Sequence, residues 1–382
     1  MKDDNASKPH YHILDGLRGV AALMVMWFHI FEGFASSAID QRVNHGYLAV
    51  DFFFVLSGFV IGYAYDDRWQ KGMGVWQFFR RRLVRLHPMI VLGAVLGLAA
   101  FLIQGSVRWD GSHVATSVAM LAMLMTLFLI PSRPDCVTEV RGNGEMFPLN
   151  GPMWSLFFEY VGNVLYALLL RRIPTKVLAC VVVLCSVSLA TLAFANTTGT
   201  FSLGGGWSFW SGNPAEEGLA AYSNFALGFM RMAFSYTVGL LMARLFCPRR
   251  QIKGAFWLCG AAIVVVTSLP YMGSSGGSWT NALYDLACVM LLFPALVWIG
   301  ASGICSGKLL ERICNFLGDL SYPLYAVQYP VMYLFYAWLW NNGRPTFGEV
   351  WLPALCVYVG NIVLAYVAMR FYDAPLRRWL KK

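Results

Sequence analysis

Charge is scarce in this sequence. Asp, Glu, Lys and Arg make up 13% of the 382 residues, about half of the ~25% found in soluble domains. With 58% of residues hydrophobic and a mean hydropathy of +0.56, too little solvated surface is available for a soluble fold of this length. The nine cysteines include no C-x-x-C pair, and only Cys136 falls in a loop assigned to the outer side. Neither a disulfide framework nor a zinc site is indicated, and no metal is expected. No internal repeat, heptad pattern or long polar stretch marks a second domain. A small-residue cleavage site is also missing after the short polar start MKDDNASKPHYH, so the first apolar run reads as a span rather than a cleaved signal.

What the sequence does have is repeated apolar runs. They fall near 13–33, 47–65, 88–104, 113–130, 152–170, 176–195, 225–246, 255–270, 282–300, 317–340 and 351–372, many of them near the ~20 residues needed to cross a hydrocarbon core. The 14 Trp, largely at run ends, fit interfacial belts. The fold expected is therefore an all-α polytopic membrane protein.

The positive-inside rule orients it. Most Lys and Arg cluster in alternate segments: Lys2, Lys8 and Arg18; Arg68 to Arg85; Arg171 to Lys176; Arg244 to Lys253; Lys308 and Arg312; and Arg370 to Lys382. Only Arg42, Arg108, Arg133, Arg141, Arg231 and Arg344 lie elsewhere. If every cluster is cytoplasmic, residues 88–151 must cross an odd number of times, so 113–130 is assigned as a re-entrant or interfacial helix on the outer side. About ten crossings result, with both termini cytoplasmic. Residues 1–12 form an N-terminal tail, 13–372 the membrane domain and 373–382 a basic C-terminal tail. The longest outer loop, about 196–224, carries Trp207, Trp210, Glu216 and Glu217. Although the net charge is +9, this distribution argues for topology and against nucleic acid.

Ionisable groups inside a membrane are costly and are functional candidates by default. Arg18 and His29 sit eleven residues apart on the first run, hence on one helix face and about 16 Å apart along the axis. That distance resembles a pantetheine arm. Interfacial snorkelling for Arg18 and plain packing for His29 are the bland alternatives. Counting depth along the spans puts Asp51, Glu159, Arg231, Asp285 and His29 in one outer layer, which reads either as a reaction chamber or as structural ion pairs joining helices. On the inner side, Arg82 and Arg85 are neighbours on one helix face. Guanidinium pairs suit phosphate and diphosphate groups, although orientation alone also accounts for the cluster.

At these residues the sequence resembles the membrane acyltransferase-3 family. LDGLRGVAALMVMWFH carries that family's Arg and His spacing at Arg18 and His29. GYLAVDFFFVLSGFVIGY matches at Asp51, Ser57, Gly58 and Phe59. Arg82 and Arg85 match an Arg-x-x-Arg motif, GPMWSLFFEY matches at Trp154, Ser155, Leu156 and Glu159, and LGDLSYPLYAVQYPV at Ser321, Tyr322 and Tyr325. Gln328 stands where a His is common, and FYDAP at 371–375 alters a familiar Glu-x-Pro ending.

The resemblance implies transfer of an acyl group, usually acetyl, from acyl-CoA (acetyl-CoA or another) to a hydroxyl of an extracytoplasmic carbohydrate or glycolipid, by a multi-pass protein of the bacterial inner membrane. It implies His29 as the catalytic residue, with Arg18, Arg82 and Arg85 contributing to donor binding. Glu32, Glu159 and Asp51 are candidates to orient the imidazole, Glu159 being the stronger on resemblance. Trp154 and Arg231 are substrate-binding candidates, and Trp207 and Trp210 could stack on sugars. A multi-span carrier without group-transfer chemistry is the competing class.

Overall fold

A computed structural model describes residues 10–133, 136–195, 203–206, 208, 223–247, 251–273 and 278–382. The described residues form eleven helices: α1 (His12–Glu32), α2 (His45–Gln70), α3 (Val75–Ile103), α4 (Thr116–Leu127), α5 (Met153–Arg172), α6 (Thr175–Phe194), α7 (Asn224–Leu245), α8 (Ala255–Ser268), α9 (Trp279–Ala301), α10 (Lys308–Asn341) and α11 (Trp351–Leu380). No strand occurs among them, only isolated bridges such as Glu145 to Ser208. The protein is an all-α polytopic membrane protein.

Eight of these helices are both long and apolar enough to cross a membrane: α1, α2, α3, α5, α6, α7, α9 and α11. The count of about ten is refined by the other three. The 113–130 run yields a 12-residue α4, which rises about 18 Å against the ~30 Å of a hydrocarbon core, so it is too short to cross alone. The 14-residue α8, at about 21 Å, is also short. With its 34 residues α10 has length to spare, but it carries Glu311, Arg312, Asp319, Gln328 and a series of tyrosines. Glu311, Arg312 and Asp319 lie in its first half and are not buried, whereas Gln328 and the tyrosines from Tyr325 onward are buried against neighbouring helices.

α6 and α11 expose Val183, Leu184, Val187, Leu352, Val359 and Val363, the surface expected toward lipid tails. α10 is the opposite case: Ser321, Tyr325, Gln328, Tyr329, Tyr333 and Tyr336 are all buried. It lies against α1, where a Cβ on Gly19 would come within 2.5 Å of the Leu317 carbonyl oxygen. α2 meets α7 just as closely, since a Cβ on Gly58 would stand 2.1 Å from the Tyr236 carbonyl oxygen. Small residues that let helix backbones touch are the usual means of packing where burial from water gives no drive.

The helical order runs further than the tail boundary at 373 suggests. Through a π-helical segment at Ala368–Asp373, α11 continues to Leu380, with Pro375 in the first turn of its last section. Pro375 has no N–H to give to the preceding turn, and it falls where the helix changes from π to α. Residues near both chain ends, among them His10, His12, Arg377 and Lys381, line one cavity. The two ends of the described chain therefore share one end of the bundle.

Candidate active site

Three cavities follow one another along α1 and α10. At the end of the bundle that holds both ends of the described chain lies a vestibule of about 1240 Å³, lined by eight Arg and Lys against three Asp. Its inner wall, formed by Asp15, Arg18, Arg85 and Tyr322, is also the wall of a neck of about 110 Å³. Val50 and Tyr325 are shared in turn between the neck and a chamber of about 450 Å³ that contains His29. Arg18 and His29 thus stand at the two ends of the neck, as their common helix face requires.

The His29 Nδ1 is 2.7 Å from Glu32 Oε2. The Tyr336 hydroxyl lies 3.0 Å from the same carboxylate oxygen and 2.6 Å from the His29 carbonyl oxygen. The Tyr329 ring meets the imidazole edge-on, with centroids 4.7 Å apart. A carboxylate beside Nδ1 accepts its proton-bearing N–H, which leaves the Nε2 lone pair available. A base held in one tautomer by a carboxylate, with that carboxylate held by a third group, can take a proton from a hydroxyl brought to Nε2.

The other members of the expected layer belong to different assemblies. Asp51, fully buried, accepts from Arg231 Nη2 at 2.6 Å and from Nε at 3.1 Å. Arg231 also donates to the carbonyl oxygens of Gly205 (2.6 Å) and Tyr47 (2.8 Å), and its guanidinium lies 5.1 Å from the Trp154 ring centre. Trp154 and Arg231 both line the His29 chamber, whereas Asp51 stands behind Arg231. Asp285 accepts from the Tyr47 hydroxyl at 2.8 Å and from the Leu203 amide at 2.7 Å, holding chamber walls rather than facing its space.

Glu159 and Arg82 depart most from expectation. Glu159 Oε1 accepts from Arg82 Nη2 at 2.6 Å and from the Ser57 hydroxyl at 2.8 Å. Both side chains line the neck and neither lines the chamber or the vestibule. The carboxylate that reaches the imidazole is Glu32, three residues along the same helix, and Arg82, only 4% exposed, is committed to Glu159. Arg18 and Arg85 do face the vestibule; Arg18 donates to the Ser321 hydroxyl at 2.9 Å and pairs with Asp15 at 2.9 Å.

The sequence matches the family model described as an acyltransferase domain over residues 11–370. The chain belongs to the acyltransferase-3 family. Among curated relatives, the acyltransferase MdmB of Streptomyces mycarofaciens is 26% identical over 93% of this chain and 86% of its own length. Protein 2 in the picA locus of Rhizobium radiobacter is 38% identical over 41% of this chain and 80% of that protein. The peptidoglycan O-acetyltransferase OatA of Listeria monocytogenes is 32% identical over 24% of this chain, a match covering 14% of OatA. No solved structure matches. Membership decides for an acyltransferase over a carrier without chemistry.

Two features of this acyltransferase go beyond the motif reading, which stops at Tyr322 and Tyr325 on α10. Tyr322, Tyr325, Tyr329, Tyr333 and Tyr336 recur at steps of three and four, so they form one face of α10; Tyr322, Tyr325 and Tyr329 line the vestibule, neck and chamber in turn, and Tyr333 and Tyr336 reach the chamber's Glu145 and Glu32. That signal was in the sequence. The second is Glu145, which the segment after α4 brings into the chamber wall, where it accepts from the Tyr333 hydroxyl. Behind Tyr333 the buried Arg141 guanidinium sits 3.8 Å from the ring centre. Burial pushes the Glu145 carboxyl up to about 8, with the Tyr333 hydrogen bond and the Arg141 charge acting against the shift. Nothing local in GNGEMFP marks that residue. Trp207, Trp210, Glu216 and Glu217 lie outside the described residues.

Proposed function

We propose that this acyltransferase moves an acyl group, acetyl by preference, from cytoplasmic acyl-CoA to a hydroxyl of a glycan or glycolipid on the far side of a bacterial inner membrane. The observation that supports this reading best is the series of contiguous cavities: a basic vestibule, a narrow neck and a chamber holding a carboxylate-oriented imidazole. The donor's diphosphate binds at Arg18 and Arg85, where the vestibule narrows, and the pantetheine arm threads the neck toward His29. Arg82 and Glu159 shape that neck as an ion pair. Trp154 and Arg231 form the chamber wall against which the acceptor sits. Peptidoglycan is named as the acceptor of the Listeria relative, and a carbohydrate hydroxyl fits a chamber with an indole, a guanidinium and two carboxyl groups among its walls.

In the transfer step, His29 Nε2 takes the proton of the acceptor hydroxyl as its oxygen attacks the thioester carbonyl carbon. Glu32 stabilises the imidazolium that forms. Collapse of the tetrahedral adduct breaks the C–S bond, and the departing thiolate takes the proton back from Nε2. General-base assistance of this kind contributes about 10²–10⁴-fold.

The experiment is acetyl-CoA consumption by purified, membrane-reconstituted protein, with the ester content of envelope glycans measured in strains with and without the gene. His29→Ala should abolish thioester turnover while the protein stays folded and inserted. Wild-type turnover by that variant would reject the reading.

A further inference from the structure

The vestibule holds more positive charge than a diphosphate needs. Arg80, Arg81 and Arg85 face it from α3, and Arg370, Arg377, Arg378 and Lys381 from the end of α11. Arg80 Nη2 donates to the Leu380 carbonyl oxygen at 3.3 Å, which ties the last turn of the chain to α3 across the cavity. Of the three acids in the lining, Asp15 is taken by Arg18 and Asp373 by Arg377, while Asp319 forms no salt bridge among the described residues and offsets one of the free cations. Among the described residues, Arg81, Arg85, Arg378 and Lys381 have no carboxylate partner. Like charges converging on an open cavity repel one another, so an assembly of this kind is built for an anion.

This inference rests on the acyl-CoA reading and extends it to the far end of the donor. The diphosphate of CoA is joined directly to the pantetheine arm, so with the arm in the neck it stays at Arg18 and Arg85. The 3′-phosphate is one ribose farther out, and as a monoester it carries about −1.5 to −2 at neutral pH. Arg81, Arg378 and Lys381 line the vestibule without lining the neck, so they are cations left for a group beyond the diphosphate. We propose that Arg378, on the terminal section of α11, and Lys381, just past its end, which line the same cavity as Arg81, form a subsite for the 3′-phosphate of CoA. The C-terminal section, added to the membrane core through a π-helical segment, is then a wall of the donor site and not only a topological anchor. An anionic lipid headgroup offers the same phosphate chemistry, so the test separates the two sources.

The full chain is placed in phosphatidylcholine nanodiscs, where no anionic headgroup competes, and equilibrium binding of CoA and of dephospho-CoA, which lacks only the 3′-phosphate, is measured. Wild-type protein should bind CoA at least tenfold more tightly. In Arg378→Ala with Lys381→Ala the two affinities should converge, and Arg378→Lys should restore much of the difference. Both substituted side chains are exposed, so the fold should tolerate their loss. Equal binding of both ligands by wild type, or a full preference kept by the double variant, overturns the subsite. So does a preference that disappears when phosphatidylglycerol is added to the discs, which would make the cluster a headgroup site. Failure of wild type to bind either ligand would instead reject the acyl-CoA reading itself.

Discussion

Glu32→Gln tests whether the carboxylate beside the imidazole takes part in the chemistry. Glutamine keeps the length of the side chain and a carbonyl oxygen for Nδ1–H, so the tautomer and the ring position should survive; what is lost is one negative charge. That charge matters only when His29 becomes an imidazolium. With the hydrogen-bonded atoms 2.7 Å apart the charge centres are roughly 4 Å apart, which corresponds to about 4 kcal/mol at an effective dielectric of ~20 and about 1 kcal/mol in water. The Glu32 side chain is 40% exposed, so a value between these limits applies, about 2 kcal/mol. On the scale of ~1.36 kcal/mol per decade, kcat for acetyl-CoA consumption should fall about 30-fold with little change in the KM for the thioester. The control is Glu159→Gln, since that residue carries the family motif but pairs with Arg82 in the neck. A Glu32→Gln enzyme with wild-type kcat, beside a Glu159→Gln enzyme that loses the same 30-fold with unchanged KM, would refute the assignment.

Three other outcomes follow from the buried groups. Glu145 is held protonated to about pH 8 when folded against an ordinary value near 4.3 when unfolded, so the folded state binds the extra proton and stability should decline as pH rises from about 4.5 to 8. Thermal unfolding in detergent should show that decline for wild type and a flatter profile for Glu145→Gln. Replacing Arg231 by Met leaves Asp51 buried and uncompensated, at a cost of about 3–5 kcal/mol; adding Asp51→Leu should recover much of it, and no recovery in unfolding midpoints would show that the pair is not the source of the loss. Arg85→Ala should weaken CoA binding by about tenfold with little effect on the unfolding midpoint. Arg82→Ala, which strands Glu159 in the neck, should mainly destabilise, and the reverse pattern in paired binding and melting measurements would return phosphate recognition to Arg82.

The architecture was legible because apolar run length and the alternation of basic clusters are local properties. So was the Arg18 and His29 relation, since eleven residues on one helix fix a common face regardless of what packs around it. The 12-residue α4 likewise agrees with the charge argument that 113–130 does not cross. Partner choice was not legible. Glu159 and Glu32 are both acids near the outer half of a span, and only the packing of α5 against α3 directs the first to Arg82 while the second stays within reach of its own helix's histidine. Glu145 is harder still: it sits in an irregular segment whose route into the chamber depends on Tyr333 and Arg141, almost two hundred positions apart.

Buried charge in this protein therefore divides by what it faces, not by depth. Asp51 with Arg231, and Glu159 with Arg82, pair across helix interfaces, and charge spent on a partner is less free for a substrate, although Arg82 keeps a buried Nε without a hydrogen-bond partner. Arg231 is the instructive intermediate, because Asp51 and two backbone carbonyls hold one side of its guanidinium while the other lies over Trp154 at the chamber wall. His29, with one nitrogen engaged by Glu32 and the other turned to open space, and Arg85, with no carboxylate partner at the mouth of the neck, keep unspent bonding capacity where a ligand can reach it. The lining of α10 follows the same division: its tyrosines spend their hydroxyls on Ser155, Glu145 and Glu32, and their rings border the path to the imidazole. A helix whose tyrosine hydroxyls are paired in this way can be the least apolar of the long helices and still run through the bundle, because that face meets other helices rather than lipid.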